Sequence, residues 1–333
     1  MRTSLDFWRS LGILALNRHV PRYRASVAAA AAILFVAALP TTQAWADLIL
    51  TGTLADASNF AVLYEGTGGH NLSITNVTIN GNVGVGGTGA VQFNGPGTNN
   101  GALDFTAARS CTPNCSQYSN NNGMNVGPMS VNYSQSNVAT NLTNLGTLSS
   151  SITGGTSITI SNGGETISES TGQLETINGV ASRVFNVTSY SANNTDVLTI
   201  NGDGSGDPVV FNFASGTGNV NLSGTVGFAG AGLTSPDQVL FNFQSAGQNI
   251  QLNNNHNVAF QGIILAPNDT ISLTSAAFNG RVFGGDSQDM QIVSGDTITA
   301  PSPTSVVPEP STWLLVGSGL LAIGVVAKRK CAA

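Results

Sequence analysis

Residues 260–268 have the sequence Phe-Gln-Gly-Ile-Ile-Leu-Ala-Pro-Asn, and residues 278–285 have the sequence Phe-Asn-Gly-Arg-Val-Phe-Gly-Gly. Each run is rich in β-branched and aromatic residues and ends in a turn signal, which predicts two short strands. Strands that end so soon in a corner are typical of a β-solenoid, in which coils of chain stack on one another. We expect Gly280 and Gly284-Gly285 to allow tight corners or close stacking of coils.

The side chains of these two strands are expected to fill the core of the coil. Pro267-Asn268 would turn the corner between the strands. The predicted inward side chains are Phe260, Ile263, Leu265, Phe278, Val282 and Phe283.

The same sequence pattern continues from Asp47 to about Val306. Short alternations of apolar and polar residues are separated by Asn-Gly, Gly-Gly and Ser-Gly turns, a pattern that indicates many short strands. Near-repeats occur, such as Val-Phe-Asn-Phe at 210–213 and Leu-Phe-Asn-Phe at 240–243, but they have no fixed period. We therefore predict an all-β domain with one helix, built as an irregular β-solenoid, with a β-sandwich as the alternative.

The helix is predicted from a single stripe of side chains spaced by three and four residues. The stripe consists of Val131, Ser134, Val138, Leu142, Leu145, Leu148 and Ile152. It indicates a helix over about 131–150, which Gly146 weakens by about 1 kcal/mol relative to alanine. We expect this helix to cover an open hydrophobic face or sheet edge of the β body.

The first 46 residues have the pattern of an export signal. Five arginines precede an apolar run from Val27 to Leu39, and Ala44 and Ala46 supply the small residues that signal peptidase recognises. We predict cleavage before Asp47. An uncleaved membrane anchor is the alternative, although the apolar run is shorter than the about 20 residues that a spanning helix needs.

The C-terminus, residues 307–333, joins three parts in order. Val307-Pro308-Glu309-Pro310-Ser311 comes first, an apolar stretch at 312–327 follows, and Lys328-Arg329-Lys330 ends it. The apolar stretch predicts a transmembrane helix with its basic end in the cytoplasm, and a plain C-terminal anchor is the simplest interpretation. The three parts together resemble the PEP-CTERM sorting signal of Gram-negative bacteria. That resemblance implies recognition by an exosortase, processing near Pro308, Glu309 and Pro310, and delivery to the cell surface or exopolysaccharide matrix.

The body between these ends, residues 47–306, also resembles a known domain. The resemblance rests on Asn-Phe-Ala-Val-Leu at 59–63, on Ile-Asn-Gly-Asn-Val-Gly-Val-Gly-Gly at 79–87, and on the two strands quoted first. Together they resemble the choice-of-anchor A domain of bacterial surface proteins over about 55–295, which implies adhesion. The same segments resemble, more faintly, the β-solenoid of bacterial ice-binding proteins, which is an analogy of architecture only.

Charge is scarce and unevenly placed. Only 8% of the 333 residues are charged and the net charge is −6, whereas about 25% is typical of soluble domains. The body keeps only Arg109, Arg183 and Arg281 against 15 acidic residues, a net charge of −12. Such a composition excludes a coiled coil and a nucleic-acid binder. Because anionic polymers would be repelled, we expect matrix binding to depend on calcium or to favour neutral glycans.

Groups that could catalyse a reaction are sparse in the body. His70 and His256 lack a second ligand at metal-binding spacing. The pattern Gly84-x-Gly86-x-x-Gly89 matches a dinucleotide-binding fingerprint, but such a site requires a following helix, and none is predicted here. We therefore predict that the protein is not an enzyme. Cys111 and Cys115 are predicted to form a small disulfide loop in the exported protein, with two free thiols as the alternative.

Several weaker patterns concern binding. Asp203 and Asp207 lie in an Asn/Asp/Gly segment that could bind calcium, although a plain turn explains it better because no bidentate Glu follows. Asp286 and Asp289 form a second acidic pair of the same kind. The rows Thr270/Ser272/Thr274 and Thr297/Thr299 alternate as an ice-binding array would, but they do not recur at a fixed spacing. Tyrosines that could stack on sugars are Tyr64, Tyr118, Tyr133 and Tyr190.

The sequence thus predicts an exported, exosortase-sorted structural or adhesin-like protein of the cell surface or extracellular matrix. Its expected partners are signal peptidase, the exosortase, the membrane before processing, and exopolysaccharide or other matrix glycans. An ice-binding module and a polysaccharide-acting β-helix enzyme are the alternatives.

Overall fold

The computed structural model describes residue 50 and residues 52–66, 70–108, 118–120, 130–161, 164–214, 220–255, 259–285 and 289–302. Outside these residues lie Ala44, Ala46, Asp47, Cys111, Cys115, His256, Asp286, the side chain of Tyr118 and the tail at 307–333. None of the helices within the described ranges combines the length and apolar character that a membrane crossing requires. The predicted helix at 312–327 lies outside those ranges.

The described residues form 24 strands, one α-helix and three short 3-10 turns. The strands are β1 (Phe60–Tyr64), β2 (Asn71–Thr75), β3 (Thr78–Asn80), β4 (Asn82–Val85), β5 (Ala90–Asn94), β6 (Thr98–Asn99), β7 (Leu103–Phe105), β8 (Tyr118–Asn120), β9 (Val131–Asn132), β10 (Thr156–Ile160), β11 (Glu165–Ser168), β12 (Gln173–Ile177), β13 (Val180–Tyr190), β14 (Val197–Asp203), β15 (Val209–Phe213), β16 (Val220–Asn221), β17 (Thr225–Ala231), β18 (Val239–Phe243), β19 (Asn249–Leu252), β20 (Phe260–Ala266), β21 (Thr270–Thr274), β22 (Ala277–Gly284), β23 (Met290–Val293) and β24 (Thr297–Thr299). The helix α1 is Ser136–Ser151, and the 3-10 turns are Gly52–Asn59, Glu169–Thr171 and Pro236–Gln238.

The strands form the walls of a parallel β-solenoid. A 14-stranded sheet, a seven-stranded sheet and a three-stranded sheet run along the stack of coils. Neighbouring strands in the described residues are parallel throughout, apart from the hairpin of β12 and β13. The prediction of an irregular solenoid is confirmed. A β-sandwich is wrong for this chain because its sheets would be antiparallel.

The coils do not stack in chain order. The main sheet follows the order β10-β13-β15-β18-β20-β22-β1-β4-β7-β9, so the last long strand lies beside the first. Val282 pairs with Val62, and Ile298 pairs with Ile79. After β9 the chain passes through α1 and resumes at β10, the opposite edge of the same sheet. The N-terminal and C-terminal coils therefore meet at a seam inside the stack.

Stacked phenylalanine rings fill the interior. The near-repeats at 210–213 and 240–243 lie in register on adjacent coils. As a result, the rings of Phe211 and Phe241 have centroids 5.0 Å apart, and those of Phe213 and Phe243 are 4.3 Å apart. Offset stacking of this kind adds about 0.5–1.5 kcal/mol per pair beyond burial.

The helix α1 packs on the outer face of the main sheet. Its apolar side chains join a larger cluster that includes Val138, Leu142, Leu145, Leu148, Ile152, Val210, Leu240, Ile263, Leu265 and Phe283. This confirms the prediction that a helix covers a hydrophobic face. The predicted start of the helix is wrong. Val131 lies in β9, where it pairs with Leu103 of β7, and Ser134 has a φ of 59°, so the helix begins only at Ser136.

Amide side chains from the repeated Asn-containing motif satisfy the end of α1. Asn242 Nδ2 donates to the carbonyl of Ser149 at 3.1 Å and to Asn212 Oδ1 at 2.9 Å. Gln244 Nε2 donates to the carbonyls of Ser149 and Ile152. Helix ends leave carbonyl groups that need such partners. The near-repeat thus supplies stacked rings inside and amide caps outside.

Several predicted inward side chains on β20 and β22 point outward instead. Strand side chains alternate in direction, so Ile264 and Ala266 share the interior with Phe260. The predictions for Ile263, Leu265 and Phe283 are wrong, because these residues face α1. The predictions for Phe278 and Val282 are confirmed.

The close stacking expected at Gly280 is confirmed. A Cβ atom at this position would lie 1.8 Å from the carbonyl oxygen of Gly262 on the neighbouring coil, and the φ of Gly280 is 148°. Both the spacing and the backbone therefore require glycine.

A buried ion pair fastens the seam between the first and last coils. Arg281 is fully buried and donates to Asp237 from Nε at 2.9 Å and from Nη2 at 3.0 Å. The same guanidinium donates to the carbonyls of Phe60 and Pro301, each at 2.7 Å. Because Phe60 begins β1 and Pro301 follows β24, one side chain joins both ends of the β body.

Candidate functional site

The seven-stranded sheet presents an uncharged polar face to solvent. Its strands lie in the order β16-β19-β21-β23-β2-β5-β8. The inward side chains, such as Ile250, Ile271 and Ile74, are fully buried. The alternate side chains therefore point outward.

One outward position on each strand forms a continuous row. The register places in line Asn221, Gln251, Ser272, Gln291, Ser73, Gln92 and Ser119. We call this line the polar row. Strands lie about 4.8 Å apart, so the seven positions repeat a hydrogen-bonding group over about 29 Å. The polar row carries amides and hydroxyls and no charge.

The threonine rows seen in the sequence lie on two different walls. Thr270 and Thr274 flank Ser272 on β21. Thr297 instead pairs with Thr78, which pairs with Thr98, so three threonines stack in line on another wall. The sequence does not show this row of threonines, because its members come from distant segments: the C-terminal strand β24 pairs with the N-terminal strand β3.

A groove borders the polar row at the β16 end. Its volume is about 440 Å³, and three adjacent strands contribute Asn221, Gln251 and Ser272 from the polar row. The loop residues Asn193 and Asn194 form one wall. The Oδ2 atom of Asp196 holds this loop by accepting a hydrogen bond from the backbone N–H of Asn193 at 2.7 Å. Among the described residues that line the groove, none is charged.

The two calcium candidates are engaged with an arginine. Arg183 Nη2 lies 3.8 Å from Asp203 Oδ2, and Arg183 Nε lies 3.3 Å from Asp207 Oδ2. The backbone N–H of Ser205, which donates to Asp203 at 2.8 Å, is the main cause that lowers the pKa of Asp203. No group of three or more His, Cys, Asp or Glu residues in the described ranges could hold a metal ion.

A buried carboxylate that sequence reasoning missed lies beside this pair. Glu169 is fully buried, and burial raises its pKa. The hydroxyl of Ser205 donates to Glu169 Oε1 at 2.5 Å, and the backbone N–H of Asp203 donates to Oε2 at 3.1 Å. These contacts tie the 3-10 turn at Glu169–Thr171 to β14. No local signal marks Glu169, because its partners lie more than 30 residues away.

The other single residues have structural roles. His70 Nδ1 lies 3.3 Å from Asp289 Oδ1, which also accepts a hydrogen bond from the backbone N–H of Asn71 at 2.9 Å. After β4 the chain turns directly into β5, so the glycine pattern at 84–89 has no helix to follow it, as predicted.

Three of the four tyrosines proposed for sugar stacking lie in the core or pack against it, and the side chain of Tyr118 lies outside the described residues. Tyr64 is fully buried, and burial raises its pKa. Tyr133 stacks on Phe105 with centroids 5.3 Å apart, and Tyr190 packs 6.3 Å from the ring of Phe213. The aromatic contacts that the sequence suggested for a glycan are therefore used inside the fold.

The parallel coils and the helix packed on them define a β-solenoid domain. The chain belongs to the family described as "Putative Ice-binding-like adhesive domain", which matches residues 44–292. Residues 306–330 match the PEP-CTERM protein-sorting motif. That motif marks the chain as an exported, surface-sorted protein and implies processing by an exosortase. The resemblances to a PEP-CTERM sorting signal and to an adhesive, ice-binding-like domain are confirmed.

Several solved structures of ice-binding proteins match at low identity. One from the Antarctic ascomycete Antarctomyces psychrotrophicus is 14% identical, with 75% of this chain and 98% of that chain covered and a TM-score of 0.46. One from an Arctic yeast is 17% identical, with 76% and 94% covered and a TM-score of 0.47. A domain of a Shewanella frigidimarina ice-binding protein is 16% identical, with 74% and 95% covered and a TM-score of 0.38. No curated protein sequence matches the chain.

Proposed function

We propose that the chain is an adhesin-like structural protein that contacts the extracellular matrix or the outer cell envelope through the polar row. The observation that carries the proposal is an uncharged, regularly spaced row across seven strands of a body whose net charge is −12. A repeating surface of amides and hydroxyls suits a partner that itself repeats hydrogen-bonding groups. The family match to adhesive-like domains supports this proposal.

The sorting route is proposed in three steps. Signal peptidase removes residues 1–46 after Ala46, and the tail at 307–333 holds the chain transiently in the inner membrane through 312–327. The exosortase then processes the chain near Pro308, Glu309 and Pro310. Residues 47–306 remain as the functional domain, with Cys111 and Cys115 joined in a disulfide.

Alanine substitution of the motif tests the sorting proposal. In a host with the exosortase, Pro308→Ala/Glu309→Ala/Pro310→Ala should leave an unprocessed chain in the membrane fraction. The matched control is Pro303→Ala, which changes a proline outside the motif and should be processed normally. Normal processing and surface delivery of the triple variant would refute the sorting role of the motif.

Charge placed on the polar row tests the adhesive proposal. Gln251→Glu/Gln291→Glu/Gln92→Glu adds three charges to that row and should release the protein from the matrix. The control Thr166→Glu/Thr199→Glu/Gln173→Glu adds the same charge elsewhere, with Thr166 and Thr199 paired on the three-stranded sheet. The control should remain in the matrix. Equal retention of both variants would refute a role of this face in adhesion.

Ice binding is a second candidate, favoured by the stacked threonines Thr297, Thr78 and Thr98. If it is correct, the processed protein should show thermal hysteresis that Thr78→Tyr abolishes.

We propose no catalytic activity. Of the clustered carboxylates described above, Asp203 and Asp207 lie beside Arg183, and Glu169 is buried. Turnover of a polysaccharide that is lost in an Asp203→Asn variant would instead support the enzyme alternative.

A further inference from the structure

We infer that the groove beside β16 binds a linear, uncharged polysaccharide that lies across the strands, an assignment that rests on the proposed function and names its substrate class. Two lines of polar side chains border the groove. Asn221, Gln251 and Ser272, which are in register on three strands, form the first line. The lining residues two positions further along each segment form the second line. A sugar chain that lies over the groove can hydrogen-bond to side chains of both lines.

The second line consists of Ser223, Asn253 and Thr274. Asn253 and Thr274 can offer hydrogen bonds to a ligand, whereas Ser223 is buried and holds Asn221 in place. Ser223 donates from its N–H and from its hydroxyl to Asn221 Oδ1, at 3.1 and 2.6 Å, which fixes the Asn221 amide at the groove edge. Gln251 and Asn253 are exposed. Amides offer both donors and acceptors, the pairing that sugar hydroxyls need.

The volume of the groove can hold a ligand, and its charge and lining favour a neutral polysaccharide over other polymers. About 440 Å³ lies within the range of about 300–1,000 Å³ typical of ligand clefts. An anionic polymer would meet a body of net charge −12, and the described ranges hold no cluster able to bind a bridging cation. A peptide would seek apolar pockets or an open strand edge, whereas this groove is lined by polar side chains on paired strands.

The wall formed by Asn193 and Asn194 separates this assignment from ice binding. A wall beside the polar row interrupts the flat plane that a crystal face would require. The same wall gives a flexible chain a side to lie against. The groove therefore suits a strand of polymer better than an ice face.

Affinity electrophoresis of the exported, processed protein tests the inference. The probes are hydroxyethyl cellulose and galactomannan as neutral polymers and alginate as the anionic one, with and without calcium. Retardation by a neutral polymer, insensitive to calcium, is expected. The double variant Gln251→Ala/Asn253→Ala removes one amide from each line and should weaken that binding about tenfold or more, the effect of two lost hydrogen bonds. The control Thr166→Ala/Thr199→Ala should bind as the unchanged protein does.

The outcomes distinguish this inference from the adhesive proposal. Binding to alginate alone, or only with calcium, would overturn the neutral-glycan assignment. Unchanged neutral binding in the double variant would overturn the groove as its site. In either case, loss of matrix retention in the variant with three added charges would leave the adhesive role of the polar row standing. Retention of that charged variant would refute the adhesive role itself.

Discussion

Replacing Arg281 by methionine should cost a large part of the stability of the domain. The change leaves the Asp237 carboxylate, which is 3% exposed, without its guanidinium. Breaking a buried ion pair by removing one partner costs about 3–5 kcal/mol. The carbonyls of Phe60 and Pro301 also lose a donor, at about 1 kcal/mol or more each when buried. The expected loss is therefore about 5 kcal/mol, comparable with the about 5–15 kcal/mol that stabilises a typical domain.

Urea unfolding of the processed protein, followed by far-ultraviolet circular dichroism, measures this loss. Arg183→Met is the matched control, because its ion pairs are partly exposed and should be worth no more than about 1 kcal/mol. Adding Asp237→Leu to Arg281→Met should restore part of the stability, since the buried carboxylate that lost its guanidinium is gone. The reasoning would be refuted if Arg281→Met lowered the free energy of unfolding by less than about 1 kcal/mol, or if the double variant were less stable than the single variant.

Three further predictions concern the helix, the glycines and the buried carboxylates. Asn242→Leu should lower the free energy of unfolding by about 1–2 kcal/mol, because α1 loses an amide at its C-terminal carbonyls; unchanged urea unfolding would contradict this. Gly280→Ala should lower the melting temperature sharply, whereas Gly146→Ala, which has open space around it, should stabilise by up to about 1 kcal/mol; calorimetry distinguishes the two. Burial raises the pKa of Asp296 to about 7 and that of Asp269 to about 6, so the folded state binds protons that the unfolded state releases. The free energy of unfolding should therefore fall as pH rises from 4 to 7, and Asp296→Asn should flatten that slope in urea titrations at several pH values.

Local pattern was sufficient to predict the class of fold. Alternation and turn residues predicted short strands, and the stripe ending at Ile152 predicted the helix that covers a hydrophobic face. The facing of Ile263 and Leu265 was missed because β20 is apolar on both sides. The alternation of apolar and polar residues cannot show which side chains point to the interior when a helix buries the outer face of the strand as fully as the core buries the inner face. The start of the helix was predicted wrongly because Val131 belongs to a short strand, in which it pairs with Leu103 of the neighbouring coil.

The candidate site depends on pairings that leave no local trace. Ser73 and Gln291 are neighbours in the polar row although more than 200 residues separate them in the sequence. The seam that brings them together follows from stacking the last coil on the first, and parallel pairing over such distances has no short-range signature. The net charge of −12 predicted only that a matrix ligand would be neutral or bridged by calcium. It did not indicate that the seven-stranded sheet would place amides and hydroxyls in one row.

The seam also determines where the domain bears mechanical load. The segment after β24 leads to the sorting tail, and β24 is paired on both sides, with β22 and with β3. A pull on that tail is applied to an interior strand and to the Pro301 carbonyl held by Arg281. Tension must therefore shear hydrogen bonds on two neighbours at once, where a tether at an outer coil would peel one strand at a time. The coils at either end of the stack remain out of the line of force.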